Sequence, residues 1–348
     1  MHRVPASRLE RLAVGANVCG WFRFPKSETE EHYTGYLDDA EIALLRGTGL
    51  RHVRLCVAPK IVMDEKTGAI REDIWAHIEL AVRRLVTHDV AVIFDLHNED
   101  RGKVERDLKR RVAFETFWAE AARRLSQTDP EFVVLEWLNE PIFDDIEDQW
   151  LAWQPRLHEI VRSAAPNHTV MATGPNWGGI DGLLKMEPLP DDNVVYSFHC
   201  YDPHCFTHQG ATWSNPEVVK LKHIPYPSSP ELVEPLLADL PVEAADYART
   251  YGEERWDRTR LNTQFGRAIA WGKQHGVPLY CGEFGVYPKT SLPEHRANWF
   301  ADFAAILSAN RVGWGVWGWD ENFGLDRRKR AGAVKLDYGV ASALGLRV

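Results

Sequence analysis

The sequence lacks any apolar run near the roughly 20 residues a membrane-crossing helix needs. Its opening, MHRVPASRLERLAVG, has no apolar stretch of the kind a secretory leader carries. Cysteines are few: Cys19, Cys56, Cys200, Cys205 and Cys281 in 348 residues. With an odd count and no C-x-x-C pair, neither a disulfide scaffold nor a zinc ribbon is expected. Positive charge is also short, since 41 Lys and Arg against 50 Asp and Glu leave a formal charge of −9. That balance argues against nucleic acid or an anionic membrane as the main partner, because both select basic faces. No internal repeat, linker or low-complexity segment divides the chain. The expectation is a soluble monomer with one domain over 1–348. It would be cytoplasmic if the chain is full length, and secreted or periplasmic if a leader has been removed.

What is abundant is tryptophan, with 14 copies, in a chain that is 45% hydrophobic and 26% charged. Those fractions describe a folded globular protein and not a disordered one. Short β-like runs alternate with amphipathic helical stretches. Strands are expected over 12–18, 52–57, 91–96, 132–138, 169–173, 194–198, 278–281 and 313–317. Helices are expected over 38–48, 73–88, 108–127, 150–165, 258–275 and 293–310, several opened by Asp and closed by Gly or Asn. Eight such strands predict an α/β fold of the (β/α)8 TIM barrel type. A doubly wound sheet is the weaker alternative, because no G-x-G-x-x-G follows the first strand. The spacing breaks once, over 202–257, which predicts a long loop insertion after strand six on the active-site face.

Two carboxylates stand at strand ends, Glu140 in FVVLEWLNEP and Glu283 in PLYCGEFG. The C-terminal ends of barrel strands converge on one face, so the pair can share a pocket. Two carboxyl groups across a cleft are the minimum equipment for splitting a glycosidic bond, one protonated and one ionised. Taken singly, a strand-end Glu is more often a cap or a surface charge. The company of other polar residues changes that balance. Glu136 shares a strand face with Glu140 and is expected to be buried against a base. Arg54 in RHVRLCV, His97 ending VAVIFDLH, and His199 and Tyr201 ending VVYSFHCY are costly to bury in a barrel unless paired.

Arg54, His97, Asn139-Glu140-Pro141, His199-Cys200-Tyr201, Glu283 in GEFG and Trp317 in WGVWGWDENFG together resemble glycoside hydrolase family 5. The opening GANVCGWF is similar to the first strand of that family, and the likeness covers almost the whole chain in order. It implies a retaining glycosidase with Glu140 as acid/base and Glu283 as nucleophile. Asn139 would bond the sugar 2-hydroxyl, Arg54 and Tyr201 would hydrogen-bond the nucleophile, and His97 and His199 would line the site. Trp317 would lie beneath the sugar at the cleavage point. The sequence departs from the family pattern at Asn98-Glu99-Asp100, where smaller residues are common, and at Cys200 inside H-x-Y.

The activity expected is an endo-β-1,4-glucanase acting on a β-glucan poly- or oligosaccharide by double displacement. Alternatives within the family are a β-mannanase, an exo-β-1,3-glucanase or a xyloglucanase; a non-catalytic carbohydrate-binding barrel is the alternative of another class. No cofactor or metal is expected. His199, His204, Cys205 and His208 cluster, but their spacing fits no common zinc pattern, and His204 and His208 are read as ordering the long loop. Among the tryptophans, Trp21, Trp177 and Trp213 are expected as sugar platforms beside Trp317, and Trp256 and Trp319 are left open. Trp137 is expected to point away from the Glu136/Glu140 face, and the helical tryptophans to pack against the barrel.

Overall fold

The computed structural model describes residues 3–98, 103–330 and 333–348. Eight parallel strands close into a barrel in sequence order: β1 Val14–Phe22, β2 His52–Val57, β3 Ala91–Leu96, β4 Val133–Glu136, β5 Thr169–Thr173, β6 Val194–His199, β7 Leu279–Glu283 and β8 Gly313–Val316. Helices cross between them, so this is the (β/α)8 barrel read from the strand count. Helix Glu72–Thr87 shows how the sequence dictates the outer layer. It buries Ile74, Trp75, Ile78, Ala81, Val82 and Leu85, which recur at helical spacing on one face. Helix Arg258–His275 opens where the Asp257 side chain accepts from the Arg260 N–H. It closes at Gly276, whose φ of 67° is left-handed and suits a residue without Cβ.

Side chains alternate across each strand, and the inward set changes character up the barrel. A lower layer holds Ile93, Val134, Met171, Val195 and Tyr280, an apolar plug. His52 lies with it, its Nε2 2.7 Å from the Tyr280 hydroxyl. Two residues further along the same strands stand Asp95, Glu136, Thr173, Ser197 and Gly282, joined by Asn17 and Arg54 from β1 and β2. Except for the glycine, this second layer is polar and fully or almost fully buried. It forms the floor on which the cleft is built.

The 202–257 segment is an insertion after β6, and it is not structureless. It contains helices His204–Thr207, Pro230–Val233 and Val242–Glu253 and 3-10 turns Pro216–Val218 and Glu234–Leu236. Most are a turn long, too short for a 3.6-residue period to register in the sequence, and two begin with proline. Buried Val218, Leu221, Ile224, Tyr226 and Val233 anchor it. An antiparallel strand pair, Arg328–Arg330 with Ala333–Lys335, follows β8 and has no counterpart among the expected strands.

Candidate active site

Arg54 is 0% exposed, and all five of its N–H donors are matched. Nε and Nη2 grip Glu136 at 2.7 and 2.9 Å, Nη2 also reaches Asn139 Oδ1 at 2.8 Å, and Nη1 divides between Asn17 Oδ1 at 3.0 Å and Glu283 Oε1 at 2.9 Å. The base expected opposite Glu136 is therefore Arg54. Asp95 adds a third carboxylate, its Oδ2 3.2 Å from Nη2. Burial alone would lower the affinity of Arg54 for its proton. The Asp95, Glu136 and Glu283 charges outweigh that and keep the guanidinium charged.

Glu283 ends β7, and its Oε2 accepts from the Tyr201 hydroxyl at 3.0 Å. Burial, with the neighbouring Glu283 and Glu140 charges, pushes the Tyr201 phenol up, so it stays a donor. Glu140 lies four residues beyond the end of β4 and not within a strand. Its φ is 39°, in the left-handed region that non-glycine residues adopt at a cost, a common price of placing a side chain at a functional site. His199 Nδ1 is 2.9 Å from Glu140 Oε1 and 3.6 Å from Glu283 Oε2. No hydrogen-bond partner of its Nε2 lies among the described residues, so Nδ1 is the nitrogen that faces Glu140. Burial would lower His199, but the Glu283 charge and the bond with Glu140 raise it above the usual histidine range. One oxygen of Glu140, one of Glu283 and a His199 nitrogen all lie within 4.8 Å of one another.

His97 Nδ1 contacts Asp95 Oδ2 at 2.6 Å, and its ring stacks on Trp317 with centroids 5.5 Å apart. Glu99 and Asp100, where the sequence departs from the family pattern, lie outside the described residues. Above this floor opens a cleft of about 1010 Å³. Glu140, Glu283, His97, Tyr201, Trp177, Trp213 and Trp317 all line it. Arg54, Asn139 and His199 support it from below.

Trp21 is a correction. It is 0% exposed, donates from Nε1 to the Tyr33 carbonyl and stacks on Phe22 and Tyr36, so no sugar can reach it. The physical reason is that β1 runs on to Phe22 and carries Trp21 into the core. Trp319 is likewise fully buried. Trp256 is 6% exposed and bonded to Glu254, away from the cleft. Trp137 is fully buried and meets His158 in helix Glu147–Ala164, outside the barrel. His204 and His208 stack face to face, centroids 4.2 Å apart, on the cleft wall beside Tyr201. Sequence reasoning missed Asn17 and Asp95, which a polar residue of inward parity in an apolar strand could have flagged. It also missed Arg23, Tyr287 and Phe323, which come from loops with no such signal.

Against this geometry, the model for Cellulase (glycosyl hydrolase family 5) matches residues 13–323. The chain belongs to glycosyl hydrolase family 5. This family 5 hydrolase is 26% identical over 313 residues to Endoglucanase C of Acetivibrio thermocellus, covering 87% of this chain and 90% of that protein. It is also 26% identical over 307 residues to Cellodextrinase A of Ruminococcus flavefaciens, covering 86% and 82%. Among solved structures, Thermotoga maritima Cel5A in complex with cellobiose, a mutant form, superposes with a TM-score of 0.80 at 20% identity, over 99% of both chains. The family 5 chain is a glycoside hydrolase of the cellulase type.

Proposed function

We propose that this enzyme is an endo-β-1,4-glucanase that retains configuration, with Glu283 as nucleophile and Glu140 as acid/base. The observation that carries the reading is the close approach of the two carboxylates. One oxygen of Glu140 and one of Glu283 lie within 4.8 Å of each other, a closest approach that suits a retaining pair. Retaining pairs lie roughly 5–5.5 Å apart, and inverting pairs, which must admit a water, roughly 6.5–9.5 Å apart. The surroundings divide the roles. Glu283 receives hydrogen bonds from the Arg54 guanidinium and the Tyr201 phenol, which suits a carboxylate that stays ionised and attacks the anomeric carbon. Glu140 touches only His199 among these groups and is more open to the cleft, as an acid needs to be to reach a leaving oxygen and later activate water.

In the first step Glu140 protonates the glycosidic oxygen while Glu283 forms a bond to the anomeric carbon and the leaving sugar departs. In the second, Glu140 takes a proton from water, whose oxygen displaces Glu283 and restores the free carboxylate. The cleft volume lies at the upper limit of small-molecule pockets, which favours an oligosaccharide over a single sugar. Its aromatic lining from Trp317 to Trp213 favours binding on both sides of the cleavage point. The relatives named endoglucanase and cellodextrinase support a β-1,4-glucan over the β-mannan, β-1,3-glucan and xyloglucan alternatives.

The test is a panel of carboxymethylcellulose, barley β-glucan, laminarin, mannan and xyloglucan, with viscosity and reducing ends followed together. The expected result is turnover of the β-1,4-glucans with viscosity falling ahead of reducing-end release. Laminarin as the best substrate, or reducing ends appearing at constant viscosity, would overturn the endo-β-1,4 assignment.

A further inference from the structure

Asn17, in the middle of β1, is 0% exposed and touches no part of the cleft. Its side-chain amide nevertheless meets three parts of the site at once. Oδ1 accepts from Arg54 Nη1, the same nitrogen that donates its other hydrogen to Glu283. Nδ2 points at three carbonyls, Gly282 at 2.9 Å and Gly315 and Val316 at 3.2 Å. Gly282 immediately precedes Glu283, and Val316 immediately precedes Trp317. The amide has one orientation open to it, since a cationic donor faces one end and only acceptors face the other.

We infer that Asn17 is a positioning residue for the hydrolysis, locking the Arg54 guanidinium against Glu283 while tying both to the ends of the strands that carry Glu283 and Trp317. The inference rests on the reading of Glu283 as nucleophile. Of the five donors of Arg54, three go to Glu136 and Asn139 on the β4 side. Only Nη1 serves Glu283, and the second hydrogen of Nη1 is what Asn17 holds. Without that hold the guanidinium can pivot about its grip on Glu136, and the Glu283 contact lengthens. The side chain must be both acceptor and donor. An Asp at this position would set a second oxygen against three carbonyls and place a new negative charge beside Glu283. The charged and titratable groups that face this cluster include Cys56 and Arg54 on β2, Asp95 on β3, Glu136 on β4, Glu140 beyond it, His199 and Tyr201 from β6 and its end, and Tyr280 and Cys281 on β7.

The experiment compares Asn17→Asp and Asn17→Ser with the parent enzyme. Active sites are counted by the dinitrophenol burst from a 2,4-dinitrophenyl 2-deoxy-2-fluoro-β-cellobioside, and kcat and KM for cellopentaose are expressed per counted site. Both variants are expected to lose about tenfold or more in kcat per site with KM changed less than about threefold. In Asn17→Asp the acid limb of kcat/KM moves to higher pH by roughly half a unit or more, because the added charge opposes ionisation beside it. If Asn17 only staples the barrel seam, the melting temperature and site count fall while kcat per site and the acid limb stay put; that result overturns the inference. Should Asn17→Asp not fold, Asn17→Ser decides by the same kcat criterion. A Glu283→Ala control separates the two levels. A burst that survives in it refutes Glu283 as nucleophile, whatever Asn17 does.

Discussion

Arg54 Nη1 lies 2.9 Å from Glu283 Oε1, while the other side of the same guanidinium holds both oxygens of Glu136. One fully buried cation thus links a carboxylate at the cleft to a carboxylate beneath it. The fork shape is essential, because an ammonium is a single point of charge and cannot serve both partners in fixed directions. Arg54→Lys is therefore expected to lower kcat by about 100-fold or more and to reduce stability, since buried carboxylates lose charge-assisted hydrogen bonds. Steady-state kinetics beside a urea melt check both parts.

Gly282 gives a steric test of the same site. A Cβ there would lie 2.7 Å from His199 Nε2 and 2.9 Å from Ser197 Oγ, closer than real Cβ contacts come. The imidazole is buried and has nowhere to retreat except toward the carboxylates. Gly282→Ala is expected to cost about 1–3 kcal/mol of stability from overpacking. It should also lower kcat at least about tenfold by moving Nδ1 off Glu140. Normal turnover in a folded Gly282→Ala enzyme would show that the His199–Glu140 contact is dispensable.

The barrel was legible because eight short β-branched runs alternate with capped amphipathic helices, a pattern few other folds produce. The paired strand-end groups were legible for a related reason: Arg, His and Glu inside buried strands are too costly to be there by accident. Trp21 is a core residue because β1 runs to Phe22, four residues past the Val18 at which the β-like run of the sequence stops, and that turns a rim position into a buried one. Most helical pieces of 202–257 escaped because they are a single turn long, too short to show periodicity; Val242–Glu253, at 12 residues, is the exception. Asn17 carried only a parity signal, a polar residue of inward phase in an apolar strand, and its importance lies in partners 37 and 265 to 299 residues away.

Trp213 and Trp21 form a contrasting pair. Trp213 is 56% exposed in the cleft, edge-on to Tyr287, whereas Trp21 is fully buried. Trp213→Ala should leave the melting temperature near the parent value and raise KM for long cello-oligosaccharides by roughly fivefold to tenfold. Trp21→Ala should cost about 3–5 kcal/mol of stability and leave KM of the folded fraction unchanged. Calorimetry and a KM series over oligosaccharide length distinguish the two.

Asp95 predicts a pH dependence of stability. Burial, only partly opposed by Arg54, raises this carboxyl to about 7 in the folded protein. In the unfolded chain it titrates near 4. Between those values the folded state binds the extra proton, so the contribution of Asp95 to stability falls as pH rises from about 4 to about 7 and is level beyond. Asp95→Asn removes that slope. Melting temperatures measured across this range should fall less in the variant than in the parent, and equal slopes would contradict the assignment.

The central claim is that Glu283 attacks the anomeric carbon. Incubation with the 2,4-dinitrophenyl 2-deoxy-2-fluoro-β-cellobioside, followed by peptic digestion and mass spectrometry, tests it most directly, because the fluorine slows release of a covalent intermediate. One fluorocellobiosyl adduct is expected, on the peptide containing Glu283. An adduct on Glu140, or turnover of natural substrate to the inverted anomer with no adduct at all, would contradict it.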